Sequence, residues 1–371
     1  MGHSDRILIV SPNRDAYSET FIRAHIDRLP GVVGVLTDGA LPQRDHDGTL
    51  LISTSLGARV QRKLSRTSLE QAQAKAVLNR IRQLRADVVL AEYGTTGEAL
   101  IDICTEAGVP LVVHFHGIDA FHTDLAAQHA NYQRILGKAA AIVVVSNEME
   151  QRLLALGAPR ERLHHNRYGI DVQRFSPTEP ASAGKQFVSV GRFVDKKAPH
   201  LLVTAFHRAW QQDQDLHLTM IGDGPLHGST RQLAHALGLE DAVTFTGALA
   251  HDRIAEHMAQ ARGFVQHSIA SVKNDREGTP LSVLEAMARA LPVISTRHGG
   301  IPDAVGHGVS GLLCNEGDII AMGEHLLELA RDPAKARTMG IEGRRTIEAR
   351  YTMEQSIAGL GRIIAQAVAK R

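Results

Sequence analysis

The chain has 371 residues, enough for two domains, and its 41 basic and 40 acidic residues leave a net charge of +1. That balance excludes bulk nucleic-acid binding by a strongly basic surface. Cys104 and Cys314 are the only cysteines, so neither a disulfide framework nor a cysteine-rich zinc site is available, which fits a reducing compartment.

The opening MGHSDRILIV lacks a basic segment followed by a long apolar run, and AAAIVVV (139–145) falls far short of the roughly 20 residues a membrane span needs. A cytoplasmic protein, at most peripheral at the inner membrane face, is expected. Short β-branched runs then alternate with helical patterns. RILIVS (6–11) reads as a buried strand and ETFIRAHIDRL (19–29) as a helix. GVLTDG (34–39), TLLISTS (49–55), ADVVLAEY (86–93), PLVVHFHG (110–117) and AAIVVVS (140–146) follow as strands. Apolar runs of this kind are what parallel strands covered on both faces look like, and their alternation with helices implies βαβ units. SPTEPASAGK (176–185) reads as a linker. A second series follows: QFVSVGR (186–192), LHLTMIGD (216–223), AVTFTG (242–247), GFVQHS (263–268) and LPVIST (291–296), then an almost wholly helical tail from Asp318. The expected architecture is α/β, two doubly wound Rossmann-like domains (1–175 and 186–351) facing a cleft. Ligands of open α/β sheets sit at the carboxyl ends of the strands.

Four strand ends carry candidate chemistry. Arg192 ends a strand and Lys197 lies in the next loop. Two cations there suit an anion, above all a phosphate, which Arg grips with two parallel bonds; ordinary surface charges would look the same. In IGDGPLHG (221–228), Gly222, Gly224 and Gly228 are spaced one residue too wide for G-x-G-x-x-G. A tight strand-to-helix turn is expected there, not NAD binding. In TRHGGIPDAV (296–305), Gly299 and Gly300 permit close backbone approach, and the free N–H groups of a helix starting at Pro302 attract phosphate. In REGTPLSVLEAM (276–287), Glu277 falls in a turn and Glu285 on the second turn of a helix capped by Thr279 and opened by Pro280. A Ser282–Glu285 capping box is the bland alternative. Cations suit a diphosphate and carboxylates accept from the hydroxyl pairs of a ribose or hexose, so the combination describes a sugar nucleotide.

The motifs GR-x4-K (Arg192, Lys197), IGDGPL, E-G-x-P-x4-E-A-M-A (Glu277 to Ala288) and LPVISTRHGGIPDAV resemble those of the retaining glycosyltransferases of family 4, which have the GT-B fold. The resemblance is strong from about Lys185 to Leu313. It is weaker but consistent through SETFI (18–22), HFHGID (114–119), VVVSNEM (143–149) and YGIDVQRFSP (168–177).

The resemblance implies transfer of a hexose, with retention and without a metal or other cofactor. The donor would be a nucleoside-diphosphate sugar and the acceptor a glycan, lipid-linked or small molecule, in bacterial polysaccharide or glycoconjugate biosynthesis. It implies that Arg192 and Lys197 hold the donor diphosphate, Glu285 the ribose and Glu277 the donor sugar. The amides of Gly299, Gly300 and Ile301 form a loop around sugar and phosphates, and Gly191, Gly222, Gly224, Gly278, Thr279 and Leu281 complete the donor side. His116 sits near the anomeric centre beside Asp119, with Asn13, Ser18 and Thr20 on the acceptor side. A C-terminal helix at about 352–371 packs back on the first domain. The chain departs from the pattern at SPNRDAYSET, where many members have a Gly–Gly turn, and at Tyr168 (for Asn), Ala198 (for Gly) and Asp303 (for Glu).

Other readings keep part of these residues. A sugar-nucleotide epimerase or a non-catalytic sugar-nucleotide-binding protein would share the fold. His114, His116, Asp119 and His122 could instead form the metal cluster of a hydrolase. From Gly57 to Arg85, Arg59, Arg62, Lys63, Arg66, Lys75, Arg80, Arg82 and Arg85 face a single acid, Glu70, on an amphipathic pattern. That segment suits an anionic membrane surface or an acidic acceptor, or simply two sheet-covering helices.

Overall fold

The computed structural model describes residues 5–14 and 19–370 and, of 59–61, the backbone alone. The chain divides into two compact units, Met1–Arg167 with Ser356–Arg371, and Tyr168–Gln355.

In the first unit, β1 (Ile7–Val10), β2 (Val32–Thr37), β3 (Arg44–Asp45), β4 (Val88–Glu92), β5 (Leu111–His114), β6 (Ala141–Val144) and β7 (Leu163–His165) form one sheet in the order β3-β2-β1-β4-β5-β6-β7. All pairs are parallel except β2 with β3. β1, β4, β5 and β6 are buried at every position, which is why their sequences show no alternation. Leu360, Ile363, Ile364 and Ala367 of the last helix, Met353–Ala369, join Ile9, Leu90, Val112 and Val143 in one core. Such side chains contribute about 1.5–3 kcal/mol each when fully buried.

The expected strand at 49–55 does not form. The turn Asp45–Gly48, with Gly48 at φ +90°, folds the chain back, so that Asp45 N–H donates to Thr49 O and Leu51 N–H to Gln43 O. The short β3 takes the sheet position beside β2, and Leu50 stays 38% exposed instead of entering a core. The 57–85 segment forms α2 (Leu56–Leu64) and α3 (Leu69–Gln83), which differ. α3 starts on a Ser68–Gln71 capping box and buries Val77, Leu78 and Ile81, as a sheet-covering helix does. α2 leaves its apolar ends outside, with Leu56 78% and Leu64 81% exposed.

In the second unit, β8 (Gln186–Val190), β9 (His217–Ile221), β10 (Val243–Gly247), β11 (Gly263–Val265), β12 (Val293–Thr296) and β13 (Gly311–Cys314) form a parallel sheet in the order β10-β9-β8-β11-β12-β13. The segment 176–185 is no loose linker. Thr178 bonds Arg289 O through both its N–H (2.7 Å) and its hydroxyl (2.9 Å), and buried Arg262 donates to Ala183 O at 2.5 Å. The division between units accordingly falls at 167/168 and 355/356, outside the compositional break, and hydrogen bonds to Tyr351, Arg289 and Arg262 tie 168–185 to the second unit.

The strand order reverses between β1 and β4 in the first sheet and between β8 and β11 in the second. Those reversals mark where an open α/β sheet holds its ligands.

Candidate active site

The second reversal gathers most of the predicted donor residues. Arg192 follows β8 and is exposed; Gln266 follows β11 and is buried. Gly191, Arg192, Lys197 and Gln266 line one pocket with Ser189 and Ile221. The loops after β8 and β9 are laced together: Gly191 N–H donates to Ile221 O and Phe193 N–H to Asp223 O. Gly222 lies at φ +138°, and a Cβ there would sit 2.0 Å from Gly191 O. Gly222 and Gly224 therefore permit the close packing of two strand-end loops, as a tight turn does.

Lys197 is the hub. Its Nζ lies 3.2 Å from Gln266 Oε1 and 3.3 Å from Glu277 Oε1. Gln266 Oε1 also accepts from Ser282 Oγ at 3.1 Å, and Gln266 Nε2 donates to Ser268 Oγ at 2.7 Å. Burial pulls the Lys197 pKa down against the attraction of Glu277. Burial raises that of Glu277, but Lys197, Lys196 and His298 outweigh it and bring the carboxyl to about 2. Glu277 Oε1 is buried, in ion-pair range of Lys197, yet no hydrogen-bond geometry to any described group satisfies it. Such an oxygen is a ready acceptor for a ligand hydroxyl.

The helix carrying Glu285 spans Leu281–Ala288 and starts on Pro280, so Thr279 is not its cap and Pro280 is not its first residue. The Pro280 ring removes an N–H where none is required, and no side chain caps the end. A capping box is absent too: Ser282 lies inside the helix and its hydroxyl goes to Gln266. Glu285, three residues on, shares the Ser282 face. It is partly buried, and burial raises its carboxyl to about 7 against the pull of Arg289 and Arg174.

The Glu277 loop and the glycine loop are one construction. Gly300 N–H donates to Gly278 O at 2.6 Å. Gly299 lies at φ +55°, and a Cβ there would meet Glu277 O at 2.3 Å. Glu277 N–H donates to His298 Nε2 at 3.0 Å, and His298 Nδ1 lies 2.7 Å from Glu316 Oε1. An amide can only donate, so His298 carries its proton on Nδ1 and donates it in a hydrogen bond to Glu316. Ile301 opens a four-residue helix, Ile301–Ala304, with Pro302 in its first turn.

The remaining predicted residues belong to the first unit. His116 is turned inward, its side chain 2% exposed and its Nε2 2.8 Å from Glu92 Oε2. Asp119 is fully buried and is a turn-builder: its carboxylate accepts from the N–H groups of His116, Gly117 and Gly94 at 2.8–3.0 Å. These bonds fix the turn that carries His116. Asn13 Nδ2 donates to Glu19 Oε1 at 2.6 Å, Thr20 opens α1 (Thr20–Arg28), and Ser18 lies outside the described residues. Of the alternative metal set His114, His116, Asp119 and His122, only His114 and His116 come together with ligand atoms to spare. His122 Nδ1 caps Leu125 N–H at 3.3 Å, and the side chain that joins His114 and His116 is Glu92.

Residues 173–346 match the family described as Glycosyl transferases group 1, and residues 23–169 match the Glycosyl transferase 4-like domain. The chain belongs to the group 1 glycosyl transferases. Over 285 residues it is 29% identical to the amylovoran biosynthesis glycosyltransferase AmsK of Erwinia amylovora, covering 75% of this chain and 70% of that protein. Over 248 residues it is 31% identical to the putative colanic acid biosynthesis glycosyltransferase WcaL of Escherichia coli K12, covering 65% of this chain and 61%, under two thirds, of that relative. The crystal structure of Anabaena HepE in complex with UDP and glucose shares the fold, with a TM-score of 0.76 at 18% identity over 97% of this chain and 99% of that one.

Within this group 1 transferase, three residues around the predicted donor loops went unread in the sequence, Gln266, His298 and Glu316, and Ser282 was read only as a cap. Gln266 had a signal, a polar residue ending an apolar strand at a topological reversal. His298 precedes the glycine pair directly. Glu316 had none, since it reaches its partner from the loop after β13.

Proposed function

We propose that this group 1 glycosyl transferase moves a hexose from a nucleoside-diphosphate sugar to a glycan or lipid-linked acceptor, retaining the anomeric configuration and using no metal. The observation that carries the reading is the buried Glu277 Oε1, held beside Lys197 but short of a hydrogen bond. An acid there suits a sugar hydroxyl, and the neighbouring cations suit the diphosphate that must leave. As the glycosidic bond to phosphate breaks, charge grows on the leaving oxygen, and preorganised Arg192 and Lys197 stabilise it without reorganising. Glu285 orients the ribose. The acceptor attacks from the face the diphosphate leaves, and its proton passes to the departing phosphate. Related chains are named for making amylovoran and colanic acid, which supports a bacterial polysaccharide or glycoconjugate product.

A thermal-shift screen of UDP, GDP, UDP-glucose and GDP-mannose, followed by product analysis by proton NMR in EDTA, tests the reading. A stabilising nucleotide, an α-to-α product and turnover undiminished by EDTA are expected. An inverted product removes retention, EDTA inhibition reversed by Mg²⁺ or Mn²⁺ removes metal independence, and no stabilisation by any donor removes the class of substrate.

The same protein is proposed to rest on an anionic membrane surface through α2. Leu56 and Leu64, with Leu69 at the start of α3, are 78%, 81% and 56% exposed, and the exposed Lys63 and Arg66 lie beside them. Apolar insertion plus attraction to anionic headgroups is the pattern of interfacial helices. Sedimentation with phosphatidylglycerol vesicles but not phosphatidylcholine vesicles, reduced in a Leu56→Ser/Leu64→Ser variant, is the expected result; equal binding to neither removes the contact.

A further inference from the structure

The reversal point of the first sheet holds a cluster that the donor chemistry does not use. Glu92 ends β4 and is fully buried. His114 ends β5, and His116 follows it in the turn that Asp119 fixes. Three of their atoms face one another. His116 Nε2 lies 2.8 Å from Glu92 Oε2 and 3.2 Å from His114 Nδ1, and the third edge, His114 Nδ1 to Glu92 Oε2, is 4.0 Å. All three side chains are at most 2% exposed. The other carboxylate oxygen, Oε1, lies 2.8 Å from His25 Nδ1 of α1. The rings of Phe21 and Tyr93 close over His116 at 4.6 and 4.7 Å.

Hydrogens alone do not account for this triangle. Its edges put Glu92 Oε2 and His114 Nδ1 about 80° apart as seen from His116 Nε2, and a hydrogen bond weakens steeply once bent below about 120°. One hydrogen on Nε2 therefore serves Glu92 or His114, not both. Placed on His114 Nδ1 instead, it turns a lone pair of His116 toward the carboxylate. A cation has no such direction. The same edges define a point about 2.0 Å from all three atoms, the length of a zinc bond to imidazole or carboxylate. Contraction of the longest edge to about 3.3 Å makes the three atoms one face of a tetrahedron. The charge nearby is negative: Glu19 accepts from the Tyr93 hydroxyl at 2.8 Å, and Asp119 lies under the His116 backbone. Buried carboxylates in such a setting are paired or coordinate metals.

We propose that Glu92, His114 and His116 form a structural site for one divalent transition-metal ion, zinc by its set of two imidazoles and a carboxylate. His25 donates Nδ1–H to Glu92 Oε1 and holds the ligating carboxylate in place, the outer-shell bond such ligands carry. Binding displaces hydrogen from His116 Nε2. A ring carrying two hydrogens releases one to solvent, and a ring carrying one moves it to Nδ1, so that two neutral imidazoles and a carboxylate face the cation. Without the ion the same atoms hold protons, and the cluster stays closed. The site lies wholly within the first unit and uses none of the donor residues, so the metal independence proposed for transfer is untouched. Ligands this buried exchange metal only through local opening, so brief EDTA in a transfer assay leaves the ion in place.

The test uses the full chain, refolded with Zn²⁺ or Co²⁺ and desalted into chelator-treated buffer, with metal measured by mass spectrometry. Stoichiometric zinc is expected, released to a chromogenic chelator only on unfolding. Glu92→Gln and His114→Asn should lose it. His122→Asn, which removes an imidazole outside the cluster, should keep it. Zinc should raise the melting temperature of the metal-free wild type and leave Glu92→Gln and His114→Asn unmoved. The Co²⁺ form should show visible d–d absorption that those two variants lack. X-ray absorption at the zinc edge of the wild type should show nitrogen and oxygen neighbours at about 2.0 Å, with imidazole scattering behind them. That measurement needs no variant, so it decides the matter should Glu92→Gln and His114→Asn fail to fold. A wild type that holds no stoichiometric metal after refolding in either ion overturns the proposal. So does zinc retained equally by Glu92→Gln and His114→Asn, which places it on other histidines. Zinc-edge neighbours at about 2.3 Å, the distance of sulfur, overturn it as well.

Discussion

The two sheets handle charge at their strand ends in opposite ways. After β8 and β11, Arg192 stands exposed and Lys197 is shared between a neutral amide and one carboxylate that does not bond it well. After β4 and β5, Glu92, His25 and His116 pair off tightly, with side chains at most 3% exposed. A surface built to receive a dianion keeps cations under-compensated, because the ligand supplies the missing charge. A cluster built to hold protons closes on itself, because desolvation is what fixes where each proton sits. The contrast separates charge kept for a ligand from charge spent on geometry.

The largest test of that contrast removes the under-compensated cations. Arg192→Ala should lower kcat by roughly 10²–10³-fold, the scale of losing one preorganised donor at a developing charge. Because Arg192 is exposed, the melting temperature should stay within about a degree or two of wild type. Lys197→Ala should match that loss and also destabilise, since it removes the nearest counter-charge of the buried Glu277. Steady-state kinetics with calorimetry of both variants decides; an Arg192→Ala enzyme with normal kcat would end the phosphate role.

The second test concerns how the donor loops are held. Gly299→Ala places a Cβ 2.3 Å from Glu277 O, in a left-handed conformation. A stability loss of roughly 1–3 kcal/mol is expected. Donor affinity should fall with it, because the Glu277 loop must move to make room. Equilibrium unfolding in urea and donor titration read the two effects; a variant of wild-type stability would show that the loops are not one construction.

The third test uses pH. Glu285 has a folded-state pKa raised from 4.5 to about 7. In the proposed role its ionised form accepts from ribose hydroxyls, so donor affinity should rise as pH climbs from 6 to 8. The stability of the free protein runs the other way. A group raised on folding contributes stability below its unfolded pKa, and that contribution is lost as pH rises through about 7. In Glu285→Gln both slopes should flatten. Parallel slopes in the wild type would contradict the assignment.

The parallel strands and the two-unit organisation were legible because β1, β4, β5 and β6 are buried on both faces and read as unbroken apolar runs. Arg192, Lys197, Glu277 and the glycine pair were legible because strand-end loops carry their chemistry in consecutive residues. Contacts between distant segments were not. Glu92 reads as the polar end of an ordinary strand, and only the fold brings it to His25, 67 positions away. Glu316 reaches His298 from another strand's loop in the same way. The strand expected at 49–55 failed because a local turn redirected it, a competition that apolar content alone does not reveal.

The smallest effect sharpens the donor side from within. Ala198, where the family pattern has glycine, follows Lys197 at φ +36°, ψ +53° and is fully buried. A left-handed alanine costs about 1–2 kcal/mol in strain, which glycine would relieve, less the added entropy of its unfolded chain. Ala198→Gly should therefore raise stability by about 1 kcal/mol or less. The strain is held immediately beside the hub cation, and Ala198 N–H is tied to Asp195 O. Relieving it lets Lys197 Nζ relax between Gln266 and Glu277, so a modest change in kcat with unchanged donor affinity is the expected signature. A change in affinity alone would place the strain in donor binding instead. No change in either would make Ala198 a tolerated departure that the packing around β8 absorbs.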